Sequence, residues 1–142
     1  MKRFIALVTV GFVAAAHAGL PTVQLSAGMH IVHAEVAADF GSRMQGLMYR
    51  KSLATNSGML FIFDEAVVQC MWMKNTLIPL SVAFIDESGA ILNIADMQPQ
   101  TEQSHCASGP ARFALEMDQG WFAKRGIKPG TKLGGLDRLN KK

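Results

Sequence analysis

The chain has 142 residues, and its 14 lysines and arginines against 11 aspartates and glutamates give a formal net charge of +3. This length suits one domain with a single sizeable core. The alkaline balance does not indicate nucleic-acid binding, because Lys2 and Arg3 lie in an export-like leader. Without residues 1–18 the basic residues number 12 and the net charge is +1, so we expect no nucleic-acid partner.

The first 18 residues have the pattern of a cleavable export signal. Two basic residues are followed by a largely apolar run over residues 4–16, and Ala16-His17-Ala18 places small residues where signal peptidase reads them. The run is about thirteen residues long, whereas a membrane-spanning helix needs roughly 20. We expect cleavage near Ala18, a periplasmic or secreted location, and a mature chain (residues 19–142) that forms one β-rich domain and does not span a membrane. An uncleaved anchor helix is the alternative.

Most of the mature chain has the residue pattern of β-strands. Seven segments are alternating or rich in β-branched and aromatic residues, and they predict strands over residues 22–27, 30–37, 59–63, 82–85, 90–94, 111–117 and 131–133. The fourth and fifth flank a four-residue connection that ends in Gly89, which is typical of a hairpin. We therefore predict a mainly β fold.

Two segments have helical spacing instead. Residues 39–50 place the apolar residues Phe40, Met44, Leu47 and Met48 at helical spacing, with Asp39 or Ser42 as the N-cap. Residues 119–125 form a second candidate of about two turns that Gly126 would end. Residues 98–110 are predicted to be one long loop.

Five short sequence blocks follow one another along the chain. They are residues 46–50 (GLMYR), 58–63 (GMLFIF), 72–80 (WMKNTLIPL), 84–89 (FID, then Gly89) and 114–120 (ALE, then Gly120). Together they resemble domain-of-unknown-function family 192, over about residues 32–133. The resemblance implies a compact, mostly antiparallel β sandwich or barrel-like domain with one or two short helices, found in bacteria and archaea and often exported. It implies no catalytic residues.

Cys70 and Cys106 are the two cysteines of the chain. Outside the cytoplasm thiols are oxidised and disulfides persist, so we predict that these residues form one disulfide.

Basic and polar side chains gather around the predicted helix and the third block. Arg43 and Arg50 are seven residues apart and would share a helix face, with Glu116 as counter-charge. If these side chains and those of the third block lie close together, they form a cationic, polar pocket that suits a small anion or carboxylate. The same side chains could instead simply pair with one another and with the backbone. We predict a binding domain for an anionic small ligand or a partner chain, with these candidate ligand-binding residues: Arg43, Arg50, Trp72, Lys74, Asn75, Thr76 and Glu116.

A copper-binding protein is a second hypothesis. Soft or borderline ligands suited to Cu(I) cluster in the sequence, namely Cys70, Met71, Met73, His105 and Cys106. A disulfide would occupy both thiols, and Met71 and Met73 lie on a predicted strand, where methionine is more often core filler, so we predict no resident metal or other cofactor.

A hydrolase-like enzyme with a site around residues 72–76, Arg50 and Glu116 is the third hypothesis. The sequence has no nucleophile elbow, zinc-protease motif or phosphate-binding loop. His105 could activate Cys106, and Asp86 and Glu116 could act as paired carboxylates if the fold brings them together. We therefore favour binding over catalysis.

Overall fold

The computed structural model describes residues 19–139, so the predicted export signal lies outside the described residues. Nine strands occur in this part of the chain: β1 (Thr22–Ala27), β2 (His30–Ala37), β3 (Ser57–Val67), β4 (Cys70–Met71), β5 (Leu80–Ile85), β6 (Ile91–Met97), β7 (His105–Cys106), β8 (Ala111–Asp118) and β9 (Leu133–Gly134). The helical elements are α1 (Phe40–Gln45) and two short 3₁₀ helices, Ala123–Arg125 and Leu136–Leu139. The predicted mainly β fold is confirmed.

Seven strands form one sheet in the order β6-β5-β8-β3-β2-β1-β9, and β4 and β7 form a small separate sheet. The pairs are antiparallel except β2 with β3, which are parallel and are joined by the long crossover connection, containing α1, that a parallel pair requires. The two edges of the large sheet meet at one end, where Ala90 bridges to Lys132 and the Gly130 N–H donates to the Ile91 carbonyl at 2.7 Å. The sheet therefore curls into a half-barrel.

The seven predicted strands are all present, and β1 and β2 have the predicted bounds. β9 begins two residues later than expected. The alternation in β8 separates two cores. Phe113, Leu115 and Met117 belong to the core inside the curl, which also contains residues from both edges of the sheet. Ala114 belongs to the core on the outer face, and Glu116 shares that alternate face of β8.

The prediction of one helix over residues 39–50 is wrong in its second half. Asp39 is the N-cap, since its side chain accepts a hydrogen bond from the Ser42 N–H at 2.9 Å. The helix ends at Gln45 because the C-cap Gly46 has a positive φ of 48°, and the turn that follows contains Tyr49, whose φ is 64°. Arg50 therefore does not share a helix face with Arg43.

Three further expectations change in detail. The predicted helix over residues 119–125 is reduced to the 3₁₀ helix Ala123–Arg125, which Gly126 ends with a φ of 66°. The loop over residues 98–110 contains β7. Met73 lies beyond the end of β4 and is buried, so the strand expected through Met71 and Met73 stops at Met71.

No helix within residues 19–139 is long and apolar enough to cross a membrane.

Candidate functional site

A disulfide joins the two strands of the small sheet. Cys70 of β4 lies directly opposite Cys106 of β7, and their sulfurs are bonded. The amide Nδ2 of Asn93 donates to the Cys106 carbonyl at 3.1 Å, which fixes β7 beside β6. The predicted disulfide is confirmed, and through β4 it positions the residues that follow, beginning with Trp72.

A groove of about 540 Å³ lies on the outer face between α1, the second half of β3 and β4; we call it the outer groove. Its walls carry apolar side chains that are open to solvent: Phe40, Met44 and Trp72 are 74%, 50% and 40% exposed. The full lining is Phe40, Arg43, Met44, Phe61, Phe63, Asp64, Glu65, Val67, Gln69, Cys70, Met71 and Trp72.

Two of these three exposed residues, Phe40 and Met44, lie on the short helix α1. The helix has no buried residue, so neither side chain is fully covered by the rest of the described chain. Helical spacing predicted that Phe40 and Met44 share a face, but it does not indicate whether that face is covered. Both residues were thus missed as site residues by sequence reasoning.

A smaller recess of about 30 Å³ adjoins the outer groove; we call it the Glu116 recess. The two cavities share five lining residues: Arg43, Met44, Phe61, Met71 and Trp72. Thr76 and Glu116 line the recess but not the groove, and both are buried. Glu116 projects from β8, in the middle of the sheet, so the carboxyl group lies at the deep end.

The Glu116 carboxyl group is buried without a stabilising partner. Only 4% of the residue is exposed, and this burial raises its pKa to about 8. No donor or cation of residues 19–139 stabilises the ionised form. The nearby Thr76 hydroxyl donates to the Lys74 carbonyl at 3.1 Å instead. Burial therefore favours the protonated form of this carboxyl group.

Arg43 lies between the groove and the recess and is held by its own neighbours. Its guanidinium donates to the carbonyls of Ala38 and Ile62, and it pairs with Asp64 at 3.0 Å. These contacts fix α1 against β3. The positive charge of Arg43 is thus already partnered.

The other two cationic candidates have carboxylate neighbours outside the recess. Arg50 donates to both oxygens of Glu35, at 2.8 and 2.9 Å. Lys74 lies 5.3 Å from the centroid of the Trp72 ring and 4.0 Å from Glu102.

Asn75 has a backbone role. Its φ is 53°, and its carbonyl accepts from the Tyr49 N–H at 2.9 Å. The fold therefore brings four of the seven candidates together around the recess, namely Arg43, Trp72, Thr76 and Glu116. Arg50, Lys74 and Asn75 do not line it.

The geometry offers little support for the metal-binding and enzyme hypotheses. The disulfide occupies both thiols, which removes the strongest soft-metal ligands and the Cys106 nucleophile. Across residues 19–139 no three His, Cys, Asp or Glu side chains are grouped to hold a metal ion. Val82 pairs with Glu116, and Asp86 lies four residues further along the chain, about 13 Å at strand spacing. The register thus separates the two carboxylates proposed as a pair.

Two solved structures have the same fold at substantial sequence identity. A Sinorhizobium meliloti 1021 protein described as a "putative transcription regulator" is 37% identical, with a TM-score of 0.75, and the alignment covers 81% of this chain and 92% of that one. A Novosphingobium aromaticivorans DSM 12444 protein of unknown function is 32% identical, with a TM-score of 0.79 and coverages of 90% and 98%. A comparison with curated proteins found no match.

The model of the DUF192 family, described as "Uncharacterized ACR, COG1430", matches residues 22–135. This range includes the five sequence blocks, the seven-stranded sheet and both cavities. The chain belongs to the DUF192 family.

Proposed function

We propose that the mature chain is an exported binding domain whose outer groove holds an extended, apolar and basic segment of a partner protein. The observation that carries this proposal is the exposed apolar wall formed by Phe40, Met44 and Trp72 beside a cavity of about 540 Å³. Large contiguous apolar surfaces on soluble proteins mark interaction sites, and binding surfaces are enriched in aromatic residues, methionine and arginine.

The backbone at the edge of the groove favours an extended chain as the occupant. The pairing of β2 with β3 ends at Ala37 and Phe61. On the other side, the register of β3 with β8 shifts between Ile62 and Val67, so residues 63–66 have no paired partner in either strand. Phe63, Asp64 and Glu65 line the groove along this segment. A peptide can add main-chain hydrogen bonds to such an edge while its side chains occupy the apolar cavity.

The charges around the groove favour a basic occupant over the small anion considered from the sequence. Asp64 and Glu65 are exposed at the rim, against the single cation Arg43, which is bound to Asp64. Arg50 and Lys74 have Glu35 and Glu102 as neighbours. Because Arg43 and Asp64 are paired with each other, an anion would meet no unpaired cation along this lining, whereas a basic residue could pair with Glu65.

Calorimetric titration with capped apolar peptides that carry one basic residue tests the proposal. Replacing Phe40 or Met44 with serine removes apolar area that binding would bury, so each variant should bind about tenfold more weakly, or worse, with an unchanged melting temperature. Met29→Ser is the matched control, because Met29 is 89% exposed in the turn between β1 and β2, outside the groove lining. An equal loss in the control, or no peptide binding, would refute the proposal.

A short DNA duplex is a useful competitor in the same titration, since the S. meliloti neighbour is described as a "putative transcription regulator". We expect no displacement of bound peptide by the duplex. Duplex binding that outcompetes every peptide would count against a peptide-binding role.

Export is part of this proposal and rests on the pattern of residues 1–18 together with the disulfide, which persists in oxidising compartments. The intact mass of the protein recovered outside the cytoplasm should correspond to a chain that begins at Gly19. Protein retained in the cytoplasm at full length would contradict export without affecting the groove.

A further inference from the structure

We infer that the Glu116 recess receives the ammonium group of a lysine side chain from the segment bound in the outer groove. This inference rests on the proposed function and adds the chemical identity of one residue of the partner. It is carried by the geometry of the recess and by the unpartnered carboxyl group inside it.

The recess is continuous with the groove wall. Met44 and Trp72 line both cavities, so a side chain that lies between them can pass from the groove toward Glu116. A lysine stem has four methylene groups that pack well on such apolar surfaces while its charged end reaches further. Trp72 already has one ammonium beside it, since Lys74 Nζ lies 5.3 Å from its ring centroid.

The Glu116 carboxyl group, once ionised, offers an ammonium group hydrogen-bond acceptors and a negative charge. A largely buried carboxylate is normally paired with a cation. Glu116 is 4% exposed, yet no donor of the described chain stabilises its ionised form. A bound ammonium supplies three donors and one positive charge at this position.

The size of the recess selects a small cation. About 30 Å³ accommodates a group of roughly one or two non-hydrogen atoms. The end of a lysine side chain meets this limit. The guanidinium group of arginine has four non-hydrogen atoms in one plane and exceeds it. The recess should therefore distinguish lysine from arginine.

Among the described residues, no charged side chain that lines the recess is paired with the Glu116 carboxyl group. Glu116 is paired in the sheet with neutral residues on both sides, Met59 of β3 and Val82 of β5. Among the lining residues from α1, the following turn and residues 71–76, the only other charged side chain is Arg43. Its guanidinium is directed to Ala38, Ile62 and Asp64.

Binding in the recess should release a proton. Burial holds the pKa of Glu116 at about 8, so the ammonium must bind as the carboxyl group ionises. The ionised fraction rises about fiftyfold between pH 6 and pH 8, while lysine, with a pKa of about 10.4, stays charged. The affinity for a lysine peptide should increase in the same proportion.

Three capped peptides that differ only at one central residue test the inference by calorimetry at pH 6 and pH 8. We expect the lysine peptide to bind at least about tenfold more tightly than the norleucine peptide at pH 8, with arginine giving no such gain. Glu116→Gln should abolish the gain and its pH dependence, and a cooperative urea unfolding transition reports that the variant is folded. Glu87→Gln, in the exposed turn between β5 and β6, is the charge-matched control and should retain both.

The possible failures are distinguishable. Equal binding of the lysine and norleucine peptides would overturn the inference and leave the groove proposal standing. A lysine preference that persists in Glu116→Gln would also overturn it and assign the preference to Asp64 and Glu65. No binding by any of the three peptides would overturn both proposals.

Discussion

Arg50 and Glu35 form a forked ion pair, in which the two terminal guanidinium nitrogens donate to the two carboxylate oxygens at 2.8 and 2.9 Å. The pair connects the turn after α1 to β2. Its hydrogen bonds raise the pKa of Arg50 above the ordinary value. Arg50, which the sequence suggested as a ligand-binding residue, therefore has a partner within the fold.

Arg50→Ala should lower the free energy of unfolding by about 1 kcal/mol, the value expected for a two-point pair that is partly exposed to solvent. Peptide affinity should not change, because Arg50 lines neither cavity. Urea unfolding and peptide calorimetry measure the two quantities. Lys51→Ala, the exposed neighbour, is the control. Loss of binding at unchanged stability would show instead that Arg50 contacts the ligand.

The stability of the unliganded protein should fall as the pH rises from about 5 to 8. The pKa of Glu116 is about 8 in the folded protein and 4.5 as the unperturbed value. Between these values the folded state keeps a proton that the unfolded state has lost, so each pH unit costs up to about 1.4 kcal/mol. Above about pH 8 this contribution levels off.

Glu116→Gln should remove this slope and make the protein more stable than the wild type at pH 8. Urea unfolding at pH 5, 6, 7 and 8 compares the two proteins. Parallel stability curves for both would show that Glu116 is ionised in the folded protein at neutral pH.

Removing the disulfide should destabilise the domain and weaken peptide binding in the outer groove. The bridge joins residues 36 positions apart, which corresponds to about 3 to 4 kcal/mol of chain entropy. The Cys70→Ser/Cys106→Ser double variant should lose this stability in urea unfolding. It should also bind peptides more weakly, because β4 positions Trp72. A reductant should affect the wild type in the same way and leave the double variant unchanged. Equal stability of the oxidised wild type and the double variant would contradict the prediction.

Gly58 should not tolerate even a methyl group. A Cβ at this position would collide with the Glu116 carbonyl oxygen and lie 2.5 Å from Met117 Sδ. Because the backbone of β8 cannot move away, Gly58→Ala should lower the free energy of unfolding by about 3 kcal/mol. Gly109→Ala is the control, since the nearest atom to its Cβ would be 3.8 Å away, and its stability should change little. A similar melting temperature for both variants would refute this account.

The strands could be predicted because alternation along the chain is a local property. β1 and β2 begin and end where the pattern does. The end of α1 was not predicted, although Gly46 offered a signal: the apolar positions Leu47 and Met48 continue the helical spacing in sequence while the backbone turns away at Gly46. Leu47 is buried in the outer core for that reason, and Phe40 and Met44 are left exposed.

The sequence alone determined the family, the mainly β class and the pairing of Cys70 with Cys106, because each depends on residue order, on periodicity or on the number of cysteines. Only the tertiary structure decided which charges face one another. The fold places Glu35 rather than Glu116 beside Arg50, since the turn at Gly46 directs Arg50 toward β2. It leaves Glu116 buried and unpartnered under an apolar groove, an arrangement set by contacts between residues that are far apart in the chain.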